Sequence, residues 1–283
     1  MRFSPHVESL ISLALAEDLC GGDQSTELIF NGDELGSARL MAKADLVMAG
    51  GPIFAYVLDR VARLPSTRPA AAEVQFHVAE GELVTAGQRL ASLQGHVAVI
   101  LQAERLALNL LQHLSGVATA TRRFVEILGE RISISDTRKT MPGMRELERY
   151  AVRVAGGRNH RFNLGSGIMI KDNHIAAAGG IAEAVRRVRA RAPFALRIEV
   201  EVSSLEELQQ ALDAKADIIM LDNMSTELMK QAVDLTAKRA LLEVSGNVTL
   251  ERAPELASLG VDFVSCGALT HSVHAADISL RFD

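Results

Sequence analysis

The sequence predicts an α/β protein: a mixed α+β unit followed by a parallel barrel. Three observations carry this. First, short apolar runs recur from residue 132 onward, each ending in polar residues and followed by a helical stretch. Their later spacing is about 20–25 residues, room for one strand and one helix per unit, which argues for a parallel sheet. Second, no glycine-rich dinucleotide fingerprint follows any of these runs. That places an open doubly wound sheet behind a barrel. Third, the 283 residues are 48% hydrophobic and 23% charged, which supplies a core and excludes a disordered or collagen-like chain.

The elements follow in order. Ser4-Pro5 reads as a capping hydroxyl and a first-turn proline, and Val7, Leu10, Ile11, Ala14 and Leu15 repeat at helical spacing until Gly21-Gly22. Gly36 to Gly50 reads as a strand, Gly51 to about Arg63 as a helix, and Pro65–Pro69 as a loop. Glu73–Ala79 and Arg89–Leu93 read as strands between glycine-bearing turns. Val97 to Leu128 reads as a long helix with a break near Ser115-Gly116. The barrel strands are expected in ISISDTRK (132–139), IMIKDN (168–173), RIEVEV (197–202), IIMLDN (218–223), LLEVSGN (241–247) and FVSCGAL (263–269). The expected domains are residues 1–112, with segment 270–283 as a candidate addition, and the barrel at 113–269.

Composition narrows the function. The formal net charge is −5, with 30 Lys+Arg against 35 Asp+Glu, which disfavours a broad nucleic-acid surface. The two cysteines, Cys20 and Cys266, exclude a disulfide framework and a four-cysteine zinc site. No apolar run approaches the roughly 20 residues of a membrane span, and no signal-peptide pattern opens the chain. A cytoplasmic protein without membrane partners is expected. The stretch EGELVTAGQRLASLQG resembles half of a swinging-arm carrier domain, but it lacks the lysine such a domain modifies.

Chemistry in α/β barrels sits at the C-terminal strand ends. Here those ends are unusually polar. Arg138, Lys139, Arg161 and Lys171 lie at or between them, with His160 and His174 nearby, and two of the six lysines are among them. Converging cations repel, so the cluster implies a ligand with several negative charges. Glu201 and Asp222 end successive strands. Such a pair suits Mg²⁺ when diphosphate oxygens complete the shell, and equally suits ion pairs with Lys171 or Arg161. Glu199 shares the face of Glu201. Ser245-Gly246-Asn247 and Cys266-Gly267-Ala268 follow the last two strands, where barrel phosphate sites are often built from backbone N–H groups. A Schiff-base aldolase using Lys171 and a non-catalytic sugar-phosphate binder remain alternatives on these residues alone.

The motifs DTRKTMPGMRELERYAVR, NHR, IKDNHI, EVEV, IIMLDNM, SGNVTLE and GALTHS, in this order, resemble the quinolinate phosphoribosyltransferases. AERLALNLLQHLSGVAT (103–119) resembles that family's helix leading into its barrel. The resemblance implies an incomplete α/β barrel preceded by an N-terminal α+β open sandwich. It implies an enzyme transferring phosphoribosyl from phosphoribosyl diphosphate to quinolinate, with Mg²⁺ as cofactor and release of diphosphate and CO₂. It implies a homodimer, or an assembly of dimers, whose sites are shared between subunits. By match to the family's motifs, Lys139, Lys171, Glu201 and Asp222 are the expected catalytic residues. Arg105, Thr137, Arg138, His160 and Arg161 join them in binding substrate, with Arg105 reaching the partner's site. Ser245, Gly246, Asn247 and Gly267 would hold the 5′-phosphate. Glu201 and Asp222 would serve Mg²⁺, directly or through the diphosphate. The sequence departs from the family at 154–158 and 162–167, which leaves open a related enzyme with another acceptor.

Overall fold

A computed structural model describes residues 3–64 and 71–283. The loop expected at Pro65–Pro69 lies outside the described residues. The chain forms two compact units, one of residues 1–120, 141–156 and 272–283, the other of residues 121–140 and 157–271.

The first unit opens with helices α1 (Pro5–Leu19) and α2 (Gln24–Ile29). The Ser4 hydroxyl accepts from the Val7 N–H and caps α1. The strand expected over Gly36–Gly50 is two strands, β1 (Leu35–Ala42) and β2 (Leu46–Val47), separated at 43–45. The physical reason is that they pair in different sheets. Helix α3 (Gly51–Ala62) and strands β3 (Ala72–Phe76), β4 (Leu83–Val84) and β5 (Arg89–His96) complete the N-terminal part. β2 pairs with β4 alone, whereas β1 pairs with β5.

Helix α4 (Val97–Leu128) runs without interruption, so the expected break at Ser115-Gly116 is not there. These small residues serve packing instead. The Ser115 hydroxyl accepts from the Ala49 N–H and donates to the Ala49 carbonyl. A Cβ at Gly116 would collide with the backbone carbonyl of His274, so the glycine lets the C-terminal segment cross. The expected domain boundary at 112/113 falls inside α4, and the compact units divide later, at 120/121.

The second unit carries the parallel sheet. Beyond β6 (Ser133–Ser135), helix α5 (Arg145–Val154) belongs to the first unit, where buried Glu148 meets His113 at 2.8 Å. The sheet resumes with β7 (Ile168–Ile170), followed by α6 (Asp172–Ala178) and α7 (Ile181–Arg189). Next come β8 (Ile198–Val202), α8 (Leu205–Asp213), β9 (Ile218–Asp222), α9 (Thr226–Thr236), β10 (Leu241–Ser245), α10 (Ala253–Ala257), β11 (Phe263–Ser265) and α11 (Ala268–His271). The last strand, β12 (Ile278–Phe282), returns to the first unit and pairs with β1, giving an antiparallel sheet ordered β12-β1-β5-β3.

All six expected barrel strands form, parallel and in the order β6-β11-β10-β9-β8-β7. Strands β6 and β7 do not pair with each other, so the barrel is incomplete. A bridge between Ser135 and Arg158 lays the following residues along the outer edge of β6. Burial explains the strand sequences. Val200, Val202, Ile219, Leu221, Leu242, Val244 and Val264 are almost wholly buried, as are Leu208 and Ala211 of α8 and Met229 and Ala232 of α9. The alternate positions, including Glu199 and Glu201 on β8 and Glu243 and Ser245 on β10, share the other strand face. Among the described residues, no helix is long and apolar enough to cross a membrane.

Candidate active site

The C-terminal ends of the six strands bring the expected residues of the second unit to one end of the sheet. Asp136, just past β6, is wholly buried and organises one side. It accepts from the His160 N–H at 2.9 Å and from the Asn159 amide. That fixes the Asn159-His160-Arg161 segment against β6. Thr137 accepts the Lys139 N–H at 3.0 Å, shaping the turn that exposes Arg138 and Lys139.

His160 then reaches the middle of the sheet. Its Nε2 lies 3.3 Å from Glu199 and 3.4 Å from Glu243, both carboxylates nearly buried. Burial opposes a charge on His160, but the hydrogen bonds and charges of the two glutamates push its pKa up to about 10. Burial also raises the Glu199 pKa. Both shifts keep one additional proton on the trio through neutral pH. The Arg161 N–H donates to His160 Nδ1 at 2.7 Å, so that nitrogen acts as an acceptor. This contact favours a neutral ring with the additional proton on the carboxyl side, with Glu199, over a ring carrying both protons. Glu243 was not among the expected residues. Its signal was present: a carboxylate inside the apolar run LLEVS, two residues before Ser245 and therefore on its face.

Arg161 is half-buried, and its guanidinium donates to the Gly167 carbonyl at 3.2 Å and approaches the Met169 sulfur at 3.6 Å. Burial, then the nearby charge of Arg138, lowers its pKa. Across the site, Lys171 Nζ and Glu201 Oε2 form an ion pair at 2.5 Å. Lys171 also stands at the N-terminus of α6, where its N–H donates to His174 Nδ1. Asp222 ends β9 and accepts from the Asn223 amide at 2.8 Å.

The last two strand ends are tight. Gly246 and Asn247 both have left-handed backbones, with φ of 88° and 52°. At Gly267 an added Cβ would lie 3.0 Å from Lys139 Cδ and 3.0 Å from His271 Cδ2, so both side chains pack across this glycine. The Thr270 hydroxyl donates to the Lys139 carbonyl at 2.9 Å and ties the two loops together. Cys266 is buried with a raised thiol pKa, chiefly from burial, which suits packing. Arg105 belongs to the first unit, exposed on α4.

Two groups offer oxygen donors for a cation. Lys171 takes Oε2 of Glu201 and Asn223 takes Oδ2 of Asp222, and the second oxygen of each carboxylate carries no hydrogen bond. An all-oxygen, partly engaged pair fits Mg²⁺ that draws the rest of its shell from phosphates and water. His160, Glu199 and Glu243 also converge, with candidate ligand atoms within 4.8 Å of one another. Their hydrogen bonds to one another fit a proton-sharing cluster. A cavity of about 1210 Å³ lies at the opposite strand ends, lined by Arg197, Asp217, Leu241 and Asp262. In barrels that end serves stability rather than chemistry.

Comparison with known proteins agrees with this geometry. Residues 23–115 match the N-terminal domain of quinolinate phosphoribosyl transferase, and residues 117–281 match its C-terminal domain. The chain is 41% identical over 279 residues to the "Probable nicotinate-nucleotide pyrophosphorylase [carboxylating]" of Bacillus subtilis (strain 168), covering 97% of this chain and 92% of that one. It is 42% identical over 275 residues to the nicotinate-nucleotide pyrophosphorylase [carboxylating] of Mycobacterium leprae (strain TN), covering 95% of each. The crystal structure of NadC from Streptococcus pyogenes superposes with a TM-score of 0.92 at 42% identity, over 100% of this chain and 99% of that one. Two domain models, close relatives and a shared fold over the whole length leave one conclusion: the chain belongs to the quinolinate phosphoribosyltransferase family.

Proposed function

We propose that this chain transfers phosphoribosyl from phosphoribosyl diphosphate to quinolinate and decarboxylates the product, giving nicotinate mononucleotide, diphosphate and CO₂. The observation that carries this is Arg161. Its half-buried guanidinium meets a carbonyl and a thioether and is repelled by Arg138, an arrangement that an anionic ligand would complete. Quinolinate brings two adjacent carboxylates. Arg138, His160 and Arg161 form their seat, with Arg105 contributed by the partner subunit of a homodimer.

The reaction has two demands. Departure of diphosphate builds positive charge on the ribose, and Glu201 and Asp222 are the carboxylates to stabilise it. Lys139 and Lys171 neutralise the departing diphosphate. Glu201 and Asp222 would hold Mg²⁺, which supplies additional charge neutralisation when bound with the diphosphate. Thr137 shapes the turn beneath Lys139, and Ser245, Gly246, Asn247 and Gly267 receive the 5′-phosphate. The pyridine nitrogen attacks C1′, and its resulting positive charge accepts the electron pair left by CO₂. No electron-sink cofactor is required by that chemistry. The protein's main task is to hold both substrates in line. The ion pair of Lys171 with Glu201 suits a cation facing phosphate, and with the family membership it disfavours a Schiff base at Lys171. The free cysteines accord with a cytoplasmic location.

The test is turnover with phosphoribosyl diphosphate and Mg²⁺, offering quinolinate and nicotinate separately. A seat for two carboxylates leaves cations unpaired with nicotinate. Quinolinate is therefore expected to be preferred by at least about 10³ in kcat/KM, equivalent to roughly 4 kcal/mol. Equal turnover of nicotinate, without CO₂ release, would show that the segment around Phe162 has remade the acceptor pocket.

A further inference from the structure

Between the carboxylate that ends β9 and the glycine loop after β10 stands Asn223. Its backbone is left-handed, with φ of 53°, a conformation that glycine adopts more readily than any side-chain-bearing residue. Its N–H donates to the Ser245 carbonyl at 3.0 Å. Its side chain points both ways. Nδ2 donates to Asp222 Oδ2 at 2.8 Å, and Oδ1 accepts from Asn247 Nδ2 at 3.3 Å. An ionised carboxylate can only accept, so the amide nitrogen must face Asp222 and the amide oxygen is left for Asn247. The space is filled: a Cβ on Gly246 would lie 2.6 Å from Asn223 Cγ and 3.1 Å from its backbone nitrogen. Arg252 braces the far side, donating to the Asn247 carbonyl at 3.0 Å.

A turn alone would be served by glycine at position 223. The amide adds something a turn does not need: one rigid connection from a carboxylate to a loop. We propose that Asn223 is a positioning residue for phosphoribosyl diphosphate, coupling the Ser245–Asn247 phosphate loop to the Asp222 carboxylate. Seating the 5′-phosphate on the loop then sets the carboxylate at the ribose. The inference rests on the phosphoribosyl-transfer reading of the site, and it concerns the donor substrate, not the acceptor.

Asn223→Gly tests it, because glycine keeps the left-handed backbone and deletes only the bridge. The variant is expected to unfold within about 2 °C of the wild type or above it, since backbone strain is relieved. KM for phosphoribosyl diphosphate should rise and kcat should fall, each by about tenfold, while KM for quinolinate moves less than about threefold. Asn247→Gly removes the same bridge from its other end. The double variant should therefore be no worse than the poorer single variant. Unchanged kinetics in Asn223→Gly, an equal rise in both KM values, or additive losses in the double variant would each overturn the proposal. Calorimetric binding of phosphoribosyl diphosphate with Mg²⁺, without acceptor, separates the two readings. Wild type that fails to bind it refutes the phosphoribosyl-transfer reading and this inference together. Wild type that binds, with Asn223→Gly binding equally tightly, refutes the inference alone.

Discussion

Glu243 puts a carboxylate where β10 offers otherwise apolar neighbours, and its cost has to be offset locally. A buried charge is tolerated when it is paired or shares a proton. His160 and Glu199 supply that sharing. The sign of the pH dependence follows. The His160 pKa is pushed up from 6.5 to about 10, and the Glu199 pKa is raised too. The stabilisation tied to this proton is complete below the unfolded histidine pKa and is lost as pH rises through about 10. Glu243→Gln removes one carboxylate that holds the proton. Its thermal midpoint should begin to fall at lower pH than wild type, read by scanning from roughly pH 6 to pH 10.5. Superimposable pH curves would mean that Glu243 has no part in the proton's affinity. Gly267 gives a second prediction. In Gly267→Ala the Lys139 chain must give way, because the new Cβ meets it at 3.0 Å. The expected loss is about tenfold in kcat/KM, roughly 1.4 kcal/mol, with little change in thermal midpoint. The cations, Glu201 and Asp222 are legible in the sequence because they are polar residues closing apolar strands. Glu243 and Asn223 are not, because their roles depend on which strands become neighbours.

At the scale of elements, legibility follows periodicity. The six barrel strands are readable because each is an apolar run long enough to be buried and is followed by a helix. Helix α4 is misread at one point, since Ser115-Gly116 carries the local signature of a break while tertiary packing overrides it. Ser115 satisfies both backbone groups of Ala49, and Thr119 accepts the Val47 N–H at 2.8 Å. Ser115→Ala would leave buried polar groups without a partner and should cost about 1–3 kcal/mol by denaturant unfolding. Gly116→Ala is expected to cost at least about 2 kcal/mol, because the His274 backbone must move away. Ordinary helix propensity predicts the opposite sign for that substitution, a gain of up to about 1 kcal/mol. A stabilised Gly116→Ala protein would show that the C-terminal segment does not need the glycine. The division of β1 from β2 was similarly hidden, since the residues between them carry no strong turn signal and only the sheet partners distinguish the two.

At the scale of the molecule, the second unit collects cations and carboxylates at its strand ends, yet Arg105 lies in the first unit, exposed on α4. An arginine at that position has no evident task in its own helix. The proposed dimer gives it one: completing the quinolinate seat of the partner. The consequence is a test that no single-site reading passes. Arg105→Ala and Lys171→Ala subunits, each nearly inactive alone, are mixed and allowed to exchange. Each hybrid dimer then carries one site with both substitutions and one with neither. If exchange is random, half of the dimers are hybrids and half of their sites are intact, so about a quarter of the wild-type activity should return. The measurement needs an independent record of exchange, such as native mass spectrometry of differently labelled subunits. Demonstrated exchange with no returning activity would place Arg105 and Lys171 in the service of the same subunit's site, and the shared-site reading would fall.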